Sequence, residues 1–243
     1  MLLAGRRVRP RRGDRDSEVM NRRYNARIAA ILQRRFGGDL DEWRRVQAES
    51  FEWYLARGAE LDRRDGAERE GDAWVRAVTD LNADQLRLVL EWMGCDIPAN
   101  LALLSEQFEE ETVRGIDATF PDAKPALAAM RDAGHRLFLS TNANRTNAES
   151  ALIGGGIRDA FDGLLMLETA RAKKDRPYYW QNAFALAGCD PGDAYVVDDV
   201  ASYLRPAEAM GARCTQIIRP GLPRERSTFP VIETLAALPA RLH

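Results

Sequence analysis

Apolar positions in the first half of the chain recur at helical spacing. Tyr24, Ile28, Ile31, Leu32 and Phe36 share one face over about 21–36, and Gly37-Gly38 ends that run. Trp43, Val46, Phe51 and Tyr54 repeat the pattern over 41–57, with Gly58 as the stop. Trp74 and Val75 mark a third helix over 73–78. Asn82 or Asp84 is placed to cap a fourth, with Leu86, Leu88, Val89 and Trp92 on its apolar face. Residues 98–114 read as a fifth. Nothing between 24 and 114 alternates as a strand does, so this block is expected to be all-helical. The rings of Trp43, Trp53, Trp74 and Trp92 are expected mostly in its core, with one or two lining a ligand cleft.

After Phe120-Pro121 the period changes. Helices over 125–133, 144–153 and 177–186 alternate with apolar strands over 136–141, 161–167, 194–197 and 213–218. Val200, Leu204, Ala207 and Met210 mark a further helix closed by Gly211, and a last helix is expected over 231–238. Such alternation predicts the α/β class, a parallel sheet with helices on both faces. Gly154-Gly155-Gly156 follows a helix rather than a strand, so it reads as a helix end and turn and not as a phosphate loop. The expected division is a sheet domain from 1–23 plus 117–243, interrupted by a helical cap over 24–116. Arg6, Arg7, Arg9, Arg11, Arg12, Arg15, Arg22 and Arg23, with Pro10 and Gly13, make 1–13 an expected irregular basic arm.

Composition narrows the chemistry. A net charge of −2 over 243 residues gives no general drive toward nucleic acid or membrane. The arm lacks interleaved aromatics and a groove-reading helix, so nucleic acid is not an expected partner. No apolar run is long enough to span a bilayer, and Met1–Ala4 is too short for a signal-peptide core. Cys95, Cys189 and Cys214 are odd in number and far apart, which argues for a reducing, cytoplasmic setting. His135 and His243 are too few and too separated for a His-based zinc site or a Ser-His-Asp triad. Carboxylates remain as the candidate catalysts, and oligomeric state stays open.

Three strand ends carry that chemistry. Asp198 and Asp199 close the Ala194–Val197 run. Adjacent carboxylates repel, and a Mg²⁺ ion would relieve them; the other reading is a turn whose Asp caps the next helix. Thr141, followed by Asn142, closes Leu137-Phe138-Leu139, and Lys173 follows the 161–167 strand. A hydroxyl, an ammonium and carboxylates at neighbouring parallel strand ends can bind a phosphoryl group with a metal.

In order and spacing these features resemble the haloacid dehalogenase-like superfamily of hydrolases. Phe138-Leu139-Ser140-Thr141-Asn142 resembles its second motif. Lys173-Lys174-Asp175-Arg176-Pro177 resembles the third with changes, and Lys173 is the better match for its lysine. Val196-Val197-Asp198-Asp199, with Ala207-Glu208-Ala209-Met210-Gly211 downstream, resembles the fourth. The resemblance implies a Rossmann-like core with an inserted helical cap that excludes water and selects the substrate.

The family's first motif is Asp-x-Asp-x-Thr after an apolar strand. The nearby match is Asp14-Arg15-Asp16-Ser17-Glu18. Val8–Gly13 carries charges, a Pro and a Gly where a buried strand needs apolar residues, and Glu18 stands where the family has Thr. Three readings stay open: Asp14 and Asp16 serve despite the poor strand, the chain is a degenerate member without catalysis, or the opening residues are a faulty translation of an ordinary gene. If the motif works, the resemblance implies that Asp14 is the nucleophile and forms an aspartyl-phosphate, and that Asp16 protonates the leaving alcohol and then activates water. It implies that Thr141, Asn142 and Lys173 hold the phosphoryl group. Mg²⁺ would rest on Asp14, Asp198, the main chain of Asp16 and Asp199. Haloacid dehalogenases generally do without the second acid and the metal. Asp16 and the paired acids therefore favour a phosphatase acting on a small phosphorylated metabolite. The alternatives are a catalytically impaired binding protein and a 2-haloacid dehalogenase-like hydrolase.

Overall fold

The centre of the parallel sheet comes from a stretch that the hydrophobic pattern passes over. The computed structural model describes residues 2–4, 15–64, 66–221 and 227–241, with side chains from residue 23 onward. Its strands are β1 (Leu2–Ala4), β2 (Phe138–Ser140), β3 (Gly163–Leu165), β4 (Tyr195–Asp198), β5 (Arg213–Ile217) and β6 (Val231–Ile232). All pair in parallel, in the order β3-β2-β1-β4-β5-β6. Leu2 lies opposite both Phe138 and Val196. The expected irregular arm thus opens with the central strand. Three apolar residues suffice there because neighbours on both sides complete the ladder, yet so short a run leaves no readable period.

Alternation along the strands builds two cores. On one face Phe138 and Val196 pack with Trp180 and Phe184 of α8 (Pro177–Ala187) and Leu204 of α9 (Ala201–Ala209). On the other, Leu139, Tyr195 and Val197 meet Leu127 and Met130 of α5 (Ala123–Asp132) and Leu152 of α6 (Arg145–Gly154). Gly154 ends α6 where it must be bare: an added Cβ would lie 2.8 Å from the Arg114 carbonyl oxygen. A short helix, α7 (Leu167–Ala170), follows β3.

Between β1 and β2 the chain inserts α1 (Arg15–Phe36), α2 (Leu40–Asp62), α3 (Gly71–Trp92) and α4 (Leu101–Arg114). Leu32, Trp43, Val46, Leu90, Leu104 and Phe108 form their core. Asp39 caps α2 by accepting from the Glu42 N–H at 2.9 Å. The two helices expected over 73–92 are one: Asn82 lies within it, and its amide donates to Glu109 instead of capping a new helix. Trp43 and Trp74 are buried as expected, whereas Trp92 is 47% exposed. Among the described residues no helix is long and apolar enough to cross a membrane, and the three cysteines are free thiols.

The last expected helix is not one. Val231–Ile232 pairs with β5, and two 3-10 turns, Leu235–Ala237 and Pro239–Arg241, follow it. Pro230 and Pro239 bracket the segment, and Asp122 pins it from the start of α5. The carboxylate of Asp122 accepts from Thr234 Oγ1 (2.6 Å), the Leu235 N–H (2.7 Å) and Arg219 (3.0 Å). Burial pushes this carboxyl up, but those donors and the Arg219 charge outweigh it and hold it below the usual range. A carboxyl lowered in the fold adds stability above its unfolded value, near 3.9, and loses it as pH falls further. Asp122→Asn should therefore lower the unfolding free energy by about 2 kcal/mol at pH 7, with the difference shrinking below pH ~4. Denaturant melts of both chains across that range check it.

Candidate functional site

Strand order reverses between β1 and β4, and in open α/β sheets the crevice beyond the carboxyl ends at such a point is where ligands bind. Ser140 pairs with Ala4, and Val197 with Leu3, so Thr141 and Asp198 stand on either side of the end of β1. Both are buried. The turn after β2 is fixed by the fully buried Tyr179 of α8. Its hydroxyl donates to the Leu165 carbonyl at 2.6 Å, accepts from the Thr141 N–H at 3.2 Å and meets Ser140 Oγ at 2.9 Å. Burial pushes that phenol above its ordinary value, which keeps it a neutral donor. Thr141 Oγ1 accepts from the Ala143 N–H at 3.1 Å.

The lysine paired with Asp198 is Lys174, whereas the motif favours Lys173. Lys174 Nζ lies 2.6 Å from Asp198 Oδ2, with side-chain exposures of 4% and 0%. The Tyr203 ring lies under the ammonium, 4.9 Å from Nζ to centroid. The Lys174 backbone is held at both ends: its N–H donates to Asn142 Oδ1 at 2.8 Å, and its carbonyl accepts from Trp180 Nε1 at 2.8 Å. Asn142 thus links the end of β2 to the lysine loop. Lys173 turns the other way, onto Asp62 of α2, with its Nζ 5.7 Å from the Trp74 ring centroid. Adjacent lysines in an irregular loop carry no period to say which one points inward.

Asp198 ends β4. Burial pushes its carboxyl up, to about 6, against the pull of the Lys174 charge, and Asp199 pushes the same way as burial. Its Oδ1 also accepts from the Val200 N–H at 2.9 Å. Gln216 of β5 fixes the neighbouring residue by donating to the Asp199 carbonyl at 3.0 Å. Paired carboxylate oxygens suit a hard cation, and Mg²⁺ is commonly held by one or two carboxylates plus substrate phosphate and water. Among the described residues no cluster of three or more acids, histidines or cysteines forms a metal site.

The side chains of the two acids proposed from the first motif lie outside the described residues. Asp14 lies outside them. Asp16 is the second residue of α1, not the end of a strand. Residues 5–13, which follow β1 directly, contain no Asp or Glu.

A small cleft, open to solvent, lies between the inserted helices and the carboxyl ends of the strands. Tyr54, Val78, Asn82 and Glu109 line it from the insert, and Asn142, Asn144 and Leu167 from the core. Its aromatic wall is Tyr54, and none of the four tryptophans of the insert lines it. Glu109, only 4% exposed, accepts from the side-chain amides of Asn82 (2.9 Å), Asn144 (3.0 Å) and Asn147 (3.0 Å). Sequence reasoning missed it because it sits in the acidic run Glu109-Glu110-Glu111, which looks like a solvated face. The available signal was its helical spacing from Leu101, Ser105 and Thr112, all buried in α4.

The family model for haloacid dehalogenase-like hydrolases matches residues 16–211. The chain is 30% identical over 154 residues to an enolase-phosphatase E1 of Nocardia farcinica (strain IFM 10152), covering 59% of this chain and 65% of that one. It is 26% identical over 121 residues to an (S)-2-haloacid dehalogenase 1 of Pseudomonas sp. (strain CBS-3), covering 50% of this chain and 53% of that one. The chain therefore spans less than two thirds of the length of either relative. Its fold matches that of a defluorinating L-2-haloacid dehalogenase with a TM-score of 0.65 at 19% identity, over 99% of this chain and 94% of that one. With its parallel sheet, helical insert and strand-end residues in the order of the motifs, the chain belongs to the haloacid dehalogenase-like hydrolase family.

Proposed function

We propose that this hydrolase cleaves phosphomonoesters of a small metabolite in the crevice beyond β1, β2 and β4. The observation that carries the reading is Lys174 seated on Asp198, with Asp199 beside it at the end of β4. Thr141 and Asn142 stand across β1 and would hold the phosphoryl oxygens, with Lys174 offsetting their charge. Asp198 and Asp199 would hold Mg²⁺, which when bound would neutralise charge on the phosphoryl group. The similarity to an enolase-phosphatase supports the same reaction class. In this reading an Asp14 oxygen bonds to phosphorus as the ester P–O bond breaks, and Asp16 protonates the departing alkoxide. Water then cleaves the acyl phosphate and gives its proton to Asp16. The inserted helices close one side of the cleft and exclude water.

The lack of an acid directly after β1 favours a second reading, that the chain binds a phosphorylated ligand without turning it over. Release of phosphate from an aryl phosphate, with Mg²⁺ and with chelator, separates the two, beside Asp14→Asn and a chloride-release assay on a 2-chloroacid. Metal-dependent turnover, down about 100-fold or more in Asp14→Asn, is the expected result. Chloride release without metal would move the assignment to a dehalogenase. No turnover, with saturable phosphate binding, would leave the binding reading.

A further inference from the structure

Residues 171–176 read Arg-Ala-Lys-Lys-Asp-Arg, and the loop divides its charges in a regular way. Arg171 pairs with Asp72, Lys173 with Asp62, Asp175 with Arg69 and Arg176 with Glu70. All four partners lie between the end of α2 and the first turn of α3. The remaining charge, Lys174, turns inward to Asp198. Backbone contacts reinforce the match: the Gly71 N–H donates to the Arg171 carbonyl at 2.8 Å, and Arg176 reaches the Gly66 carbonyl at 3.4 Å. Arg171 itself sits at φ 57°, a left-handed conformation that a non-glycine residue keeps only where its surroundings hold it.

The pairs are unequal. Arg171–Asp72 is largely solvated and contributes little. Lys173 and Arg69 are 10% and 13% exposed, and both lie within 6 Å of the buried Trp74 ring, so their charges are far less screened.

We infer that the 62–72 segment of the insert, with Asp62 foremost, is a positioning element for Lys174. The docked insert holds the loop through Lys173, Asp175 and Arg176, which leaves Lys174 in the one direction that meets Asp198. Seating the insert and presenting the ammonium are then a single event, and an insert lifted off the core leaves the site without its cation. The inference rests on the reading of Lys174 as the cation of the site.

Hydrogen exchange of the full chain tests the positioning without turnover. Asp62→Asn should speed exchange of amides 171–176 about fivefold, leave β4 unchanged, and recover in the charge swap Asp62→Lys with Lys173→Asp. Glu70→Arg with Arg176→Glu gives a second swap at another pair of the same segment. Unchanged exchange at 171–176, or acceleration spread over the whole chain, overturns the inference. In phosphate release, kcat should fall with the lost protection while KM holds; a raised KM at constant kcat also overturns it. If no form turns over, exchange alone decides the positioning, and the hydrolase reading falls separately.

Discussion

Lys174→Met is expected to abolish the proposed hydrolysis and to lower the unfolding free energy by about 3–5 kcal/mol at pH 8, whereas Lys173→Met, which removes only a contact that positions Lys174, should lower turnover in part and cost little stability. The reason lies in what each lysine leaves behind. Asp198 is wholly buried, and removing its ammonium partner strands a charge where water does not reach. Asp62 is 44% exposed, so losing Lys173 lets it return to solvent. The effect on the fold carries a pH signature. Asp198 is already raised to about 6 by burial, so the chain loses stability as pH climbs from the unfolded carboxyl value through that point. Without Lys174 the carboxyl rises further and the loss above it deepens. The two chains should therefore differ little near pH 4 and most above pH ~6. Denaturant midpoints at pH 5 and pH 8, beside phosphate release, measure both parts. Equal loss of turnover in the two lysine variants would remove Lys174 from its place in the site.

Glu109→Leu is expected to have the second large effect, a loss of about 3 kcal/mol of stability and, in the proposed reaction, a raised KM. The substitution keeps the bulk of the side chain but leaves three amide donors with no acceptor. Asn147 is buried against the carboxylate, so its amide carries the full desolvation penalty; Asn82 and Asn144 border the cleft and recover part of theirs from water. Glu109→Gln turns one acceptor into a donor facing donors and should cost about 1–2 kcal/mol. Because Asn82 belongs to α3, Glu109 to α4 and Asn144 to the start of α6, the same loss frees the two walls of the cleft from each other. Thermal melts and the KM for an aryl phosphate in both variants separate packing from binding. A Leu variant as stable as the parent would mean that the amides find other partners.

Long periodic segments were legible and short ones were not. The amphipathic runs around Ile31, Trp43 and Phe108 gave the helical insert, and Val196-Val197-Asp198 gave a strand ending in acid. β1 was lost because Leu2-Leu3-Ala4 is too short for periodicity and is followed by arginines that dominate any window. Its discovery changes the standing of Asp14, which now follows the strand by a long interval instead of closing it. The end of the chain misled for another reason: Val231, Ile232, Leu235 and Leu238 fit a helical face, but Pro230 and Pro239 and the free edge of β5 make a strand and turns cheaper. That Lys174 meets Asp198 while Lys173 meets Asp62 was beyond any pattern, since adjacent lysines in a loop carry no period.

The position of β1 also orders the assembly of the chain. Its partners begin at positions 138 and 196, on either side of almost everything else. Loop-closure entropy grows only slowly with length, so the equilibrium penalty is modest, but contacts so distant in sequence are slow to form. The inserted helices can build their own local contacts early, while β2 and β4 have no common neighbour until the first few residues thread between them. The crevice is therefore completed by the last long-range pairing of the sheet, and the two halves of the site share an edge only in the finished fold.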